Sequence, residues 1–176
     1  MKAIIPEEIR TCSQEIITIV ETCLKNLDTP KVRDLKRNMS DWAFTQEFKK
    51  IILTLPRQTG QTSAALYLLA RYPQSVLLTT TGMERARLID EYRRKYELRP
   101  KTCGQTEESS NFSIQKRILT PQMCEDWVKQ WGHSAKGAQR KLDLFILDGY
   151  SRFDYLQIEG AIAVVNSYVK LFVGLG

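Results

Sequence analysis

Three features of this 176-residue sequence predict a three-layer α/β domain with a mainly parallel sheet. Short apolar and β-branched runs recur at 51–55, 75–80 and 142–147, the kind of strand that a parallel sheet buries on both faces. Between the first two lies 62–72, rich in Ala and Leu and long enough to be a helix. The alternation of strand and helix continues to the end of the chain, and right-handed crossovers convert such alternation into parallel pairing.

The elements follow in order. Ile9, Cys12, Ile16, Val20, Cys23 and Leu27 recur at helical spacing, and Pro6, Glu7 and Glu8 suit a first turn, so 6–27 reads as an amphipathic helix. A basic connector with Pro30, Lys31, Arg33, Lys36 and Arg37 is expected over 28–37. A short helix over 40–50 has Ser40 or Asp41 as its cap. Then come strand 51–55, a break at 56–60, helix 62–72, strand 75–80, and a charged helix over 83–96 with Ala86, Leu88, Ile89 and Tyr92 inward. A polar loop (98–111), a strand (112–119), a helix (121–131) and a basic loop (132–140) follow. Strand 142–147, helix 155–167 and strand 168–173 complete the chain. The organisation expected is a helical extension at 1–45 and an α/β core at 46–176, and the sequence contains no internal repeat.

Composition narrows the chemistry. A hydrophobic fraction of 43% and a charged fraction of 26% are those of an ordinary globular chain. No stretch reaches the roughly 20 apolar residues of a membrane span, and the N-terminus lacks the pattern of a signal peptide. Cys12, Cys23, Cys103 and Cys124 form no CxxC pair, which excludes zinc-ligand spacing and fits reduced thiols in a cytoplasmic protein. The single histidine, His133, removes most histidine-dependent catalysis. A net charge of +6 and a pI near 9.2 tilt mildly toward a polyanionic partner.

The strand, turn and helix around Leu55, Pro56, Arg57, Gln58, Thr59, Gly60, Gln61, Thr62 and Ser63 occupy the place of a phosphate-binding loop. Such a loop needs inward backbone amides, a lysine on the terminal phosphates and a hydroxyl on magnesium. Gly60 supplies the permissive backbone, Thr62 the hydroxyl, and the helix N-terminus its positive end. Gln61 stands where the lysine is usual. Downstream, Leu144 to Asp148 is an apolar strand ending in the aspartate that would hold magnesium, and Gly149 follows where a water-orienting glutamate is usual.

In order and spacing, residues 46–176 resemble the P-loop ATPase cores of viral large terminases and of superfamily 1 and 2 helicases. The 56–62 run is similar to the terminase ATPase loop, and Val76 to Thr81 with the helix behind it to motif Ia. Ile118, Leu119, Thr120 and Pro121 resemble the Thr-Pro turn upstream of Walker B. Leu171 to Gly176 falls where those families place a coupling segment. The resemblance implies a viral, nucleic-acid-associated ATPase core, working in the host cytoplasm, with ATP and Mg2+ as weakly held cofactors. Thr62 and Asp148 would be metal ligands, 56–63 the nucleotide loop, Asp148 and Arg57 the catalytic candidates, and Gln46 an adenine contact.

Two readings stand beside it: a non-catalytic adaptor or inhibitor that reuses the scaffold to bind a protein, and a compact active ATPase with Arg57 in the lysine's role. For nucleic acid, the densest basic run is Arg93, Arg94, Lys95, Arg99 and Lys101, with Arg85 and Arg87 on the same helix. Lys136, Arg140 and Lys141 form a second group. Trp127 and Trp131 read as core. Tyr150, Arg152, Phe153 and Tyr155 follow Asp148 at the strand's carboxyl end, where open α/β sheets bind ligands.

Overall fold

Five strands form one sheet in the order β1-β5-β4-β2-β3, and every neighbouring pair runs parallel. The computed structural model describes residues 11–54, 60–97, 113–124, 126, 142–154, 158–160, 162–163 and 168–176. The strands are β1 (Lys50–Leu53), β2 (Ser75–Leu78), β3 (Ile118–Leu119), β4 (Leu142–Asp148) and β5 (Val169–Leu175). The helices are α1 (Thr11–Leu27), α2 (Pro30–Arg37), α3 (Asp41–Phe48), α4 (Gln61–Arg71), α5 (Gly82–Tyr92) and the single turn α6 (Ile114–Arg117).

The period-2 alternation of the strands sorts the core into two layers. Leu77, Leu144, Ile146, Leu171, Val173 and Leu175 face a cluster shared with α1, α4 and α5. Val76, Leu78, Phe145, Leu147 and Phe172 face the other side, against Ile158, Ile162 and Cys124. Helices therefore cover both faces, as a parallel sheet requires. Ile16, Ile17 and Val20 place α1 in the first cluster, so the N-terminal helix packs on the core.

Two stretches depart from expectation. The connector at 28–37 is helix α2. Pro30 sits in its first turn, where a missing N–H costs nothing, and the Arg33 guanidinium ties back to the Asp28 carbonyl at 2.6 Å. None of its residues is buried, and Val32 and Leu35 are its only aliphatic side chains besides Pro30. The strand expected over 112–119 is reduced to Ile118–Leu119, because Ile114–Arg117 makes a helical turn. Ile114 and Ile118 then reach the same cluster at a spacing of four. The helix expected over 83–96 ends as α-helix at Tyr92 and continues to Glu97 in wider π turns. The 98–111 loop, Trp127, Trp131, His133 and the 132–140 loop lie outside the described residues.

Candidate functional site

All five strands end on one edge of the sheet, and helix α4 begins there. To connect β1 with β2, the chain must pass β5 and β4, so α4 lies across the sheet in contact with β4 and β2. That path brings the first turn of α4 over the end of β4. The Thr62 hydroxyl donates to Asp148 Oδ2 at 3.0 Å, closing a gap of 86 residues in sequence.

The cap of α4 is Gly60, in the left-handed region at φ 83°. A side chain there would meet a second obstacle, because a Cβ would lie 2.0 Å from Ser13 Oγ. The Ser13 hydroxyl donates to the Gly60 carbonyl at 3.0 Å, so α1 braces the turn from behind. Gly60 thus offers no side chain to cap the amides of the first turn, and the helix keeps its positive end toward the strand edge. Gly60→Ala is expected to lower stability by about 1–2 kcal/mol from backbone strain alone, with more from the overlap. The Ser13→Ala change should recover part of that loss in the double variant; additive losses in urea unfolding would show that the two residues do not compete for space.

Asp148 is 5% exposed. Burial pushes its carboxyl above the ordinary range; the Thr62 hydroxyl and the guanidiniums of Arg87 and Arg152 act against that shift, and Glu84 adds to it. Glu84 is the residue that sequence reasoning missed. It sits in the first turn of α5, where the Thr81 hydroxyl caps its backbone N–H and the Thr80 hydroxyl donates to its carboxylate at 2.8 Å. Burial works to raise the Glu84 carboxyl, but the Thr80 and Thr79 side chains and then Arg152 and Arg87 outweigh it and hold it below the ordinary range. The Thr79 hydroxyl is fully buried beside it and makes no hydrogen bond of good geometry. The sequence shows the 79–81 threonine run after β2, but its place beside Asp148 follows from the pairing of β2 with β4, which the sequence does not show.

Gly149 is also left-handed, at φ 78°, so a glutamate at that position would be strained. Tyr150 to Arg152 form a 3-10 turn, and the Tyr150 ring lies 2.6 Å from where a Cβ of Gly174 would be. Tyr150 and Phe153 pack against the second core cluster, so these aromatics are largely occupied by the fold. Arg152 is exposed, and its charge acts to lower the carboxyls of both Glu84 and Asp148.

The sequence-derived candidates divide accordingly. Gly60, Gln61, Thr62 and Ser63 come together with Asp148 at the strand edge, whereas Pro56, Arg57, Gln58 and Thr59 lie outside the described residues. Gln46 is part of a network at the opposite end: it donates to Glu159 at 3.3 Å, and Lys50 pairs with Glu159 at 2.7 Å. Of the basic run, Arg99 and Lys101 are outside the described residues, as are Lys136, Arg140 and Lys141 and, of the group after Asp148, Tyr155. Lys95 pairs with Glu91, Arg87 with Glu91 and Glu84, and Arg85 binds the carbonyls of Ile118 and Gln115. Much of that charge is therefore spent inside the fold. Arg93 and Arg94 lie on the π turn, Arg94 exposed.

The oxygens of Thr62 and Asp148 suit a small hard cation that keeps most of its waters and takes the rest of its shell from a phosphate. Among the described residues no group of three or more His, Cys, Asp or Glu side chains could hold a metal. No described helix is long and apolar enough to cross a membrane. No protein-family model matches the chain, and no curated protein matches it.

Proposed function

We propose that this chain is a degenerate terminase- or helicase-like P-loop domain that holds a magnesium nucleotide weakly, turns it over negligibly, and serves a nucleic-acid machine. The observation that carries this reading is the Thr62–Asp148 hydrogen bond, which joins a helix N-terminus and a strand end as a phosphate site requires. Bound magnesium would neutralise phosphate charge. The chain's own part is to present the Thr62 and Asp148 oxygens and the amide-rich turn after Gly60. Gln61 brings no positive charge to the terminal phosphates, and that electrostatic contribution is the larger share of phosphoryl-transfer catalysis. Gly149 brings no carboxylate, and Glu84, tied to Thr80, is the nearest alternative for orienting water.

The reading as a non-catalytic adaptor or inhibitor is favoured by the internal pairing of the 85–95 basic residues, which leaves less charge for nucleic acid. In that case a stable protein complex, indifferent to ATP and DNA, is expected. Salt-dependent DNA binding that weakens when Arg93 and Arg94 are replaced would instead support the first reading.

Calorimetry with MgADP and phosphate release from MgATP test the nucleotide site. The parent chain should bind weakly and release almost no phosphate. Gln61→Lys should tighten binding by about tenfold or more, the effect of one charge-assisted contact. Gly149→Glu should restore little turnover, because of the strain at that position. Robust turnover by the parent that disappears in Arg57→Ala would instead establish Arg57 as the lysine's substitute.

A further inference from the structure

Beyond Asp148 the chain turns sharply, and the turn is pinned to the end of β5. The Gly149 N–H donates to the Leu175 carbonyl at 2.8 Å, and the Arg152 N–H closes back on the Gly149 carbonyl at 2.9 Å. Backbone packing there is close, since a Cβ on Gly176 would lie 2.9 Å from the Ser151 nitrogen. Tyr150 packs against the second core cluster and anchors the turn from below. Arg152 is therefore an exposed side chain rooted on a fixed backbone.

Its neighbour Gly149 shows which way the side chain runs. Arg152 Cδ lies 3.5 Å, and Nε 3.9 Å, from where a Cβ of Gly149 would be. The stem thus folds back over the backbone next to Asp148. Two cations act on both carboxyls at this edge, Arg87 and Arg152. Arg87 is committed within α5, to Glu91 at 3.4 Å and to Glu84 at 4.0 Å. The Arg152 guanidinium makes no hydrogen bond or ion pair among the described residues. Attraction to Asp148 and Glu84 draws it toward the edge before any ligand arrives.

We infer that Arg152 binds the terminal phosphate of the nucleotide at the Thr62–Asp148 edge, in the place that Gln61 leaves uncharged. The inference rests on the reading of that edge as a nucleotide site. The Thr62 hydroxyl touches the Asp148 carboxylate, and the Arg152 stem covers the residue that follows it. Helix end and guanidinium therefore approach the same strand end. A guanidinium presents a planar fork that matches two phosphate oxygens, which an ammonium does not.

Calorimetry on the full chain, with MgADP and with magnesium pyrophosphate, tests the assignment. Arg152→Ala, at an exposed position where the fold is kept, should weaken both ligands by about tenfold. Arg152→Lys should recover only part of the loss, because an ammonium keeps the charge without the fork. Arg37→Ala removes the same charge from exposed α2 and should leave both affinities unchanged. No saturable binding of either ligand by the parent would overturn the nucleotide reading and this assignment together. Binding by the parent that survives Arg152→Ala unchanged would overturn the assignment alone. So would a loss confined to MgADP, which would place Arg152 on the nucleoside, or equal losses in the Arg152 and Arg37 variants.

Discussion

Replacing Arg117 by methionine is expected to destabilise the protein by about 3–5 kcal/mol, a large share of the 5–15 kcal/mol typical of a domain. The side chain is 6% exposed and occupies the joint between α4, β2 and β3. Its guanidinium donates to the carbonyls of Ser75 at 3.0 Å and Tyr72 at 2.9 Å, and to that of Leu69. The Leu69 and Tyr72 carbonyls lie at the C-terminal end of α4, where a cation also meets the negative end of the helix. Burial pulls the Arg117 pKa down, while Tyr92 supports the charge, and the guanidinium stays protonated. Methionine would fill the volume but leave three buried carbonyls without their donor, each costing about 1–3 kcal/mol. Lysine, with one nitrogen, should recover only part of the loss. Urea unfolding measures both; a methionine variant within 1 kcal/mol of the parent, about the scale of an ordinary surface change, would mean that water or the backbone replaces the guanidinium.

Asp148→Asn should act in opposite directions on stability and on ligand binding. A carboxylate at this depth is penalised for its charge, and Glu84 nearby increases the penalty. Asparagine keeps an acceptor for the Thr62 hydroxyl and removes the charge, so a gain of about 0.5–2 kcal/mol is expected, the range seen when strained functional positions are relaxed. The same change removes the anionic oxygen that would hold magnesium, so magnesium-dependent nucleotide binding should be lost. Thermal unfolding and calorimetry with and without magnesium read the two effects. Lower stability would make Asp148 a structural residue, and unchanged magnesium dependence would remove it from the nucleotide site.

The sequence by itself determined the class of fold. Strands buried on both faces must be largely apolar, so β2, β4 and β5 could be read from their composition, and the edge strand β1 from its Ile-Ile-Leu run. The Gly60 turn was also legible, since a glycine between a strand and an alanine-rich helix marks a backbone position that side chains avoid. Helix α2 was not, because Val32 and Leu35 are its only aliphatic side chains besides Pro30, too few to stand out among five charged residues. Of the strand expected over 112–119, only Ile118 and Leu119 stand in β3; the helical turn Ile114–Arg117 before it was not legible, because Arg117 turns inward to carbonyls 42 to 48 residues away. Only the tertiary structure decided what surrounds Asp148. Strand order is a long-range property: β2 pairs with β4, and this alone sets Glu84 and its threonines beside an aspartate far along the chain. Long-range pairing likewise decided the fate of the charges. Local sequence counts positive residues, but only the fold shows that those at 85–95 are largely answered by neighbouring carboxylates and carbonyls.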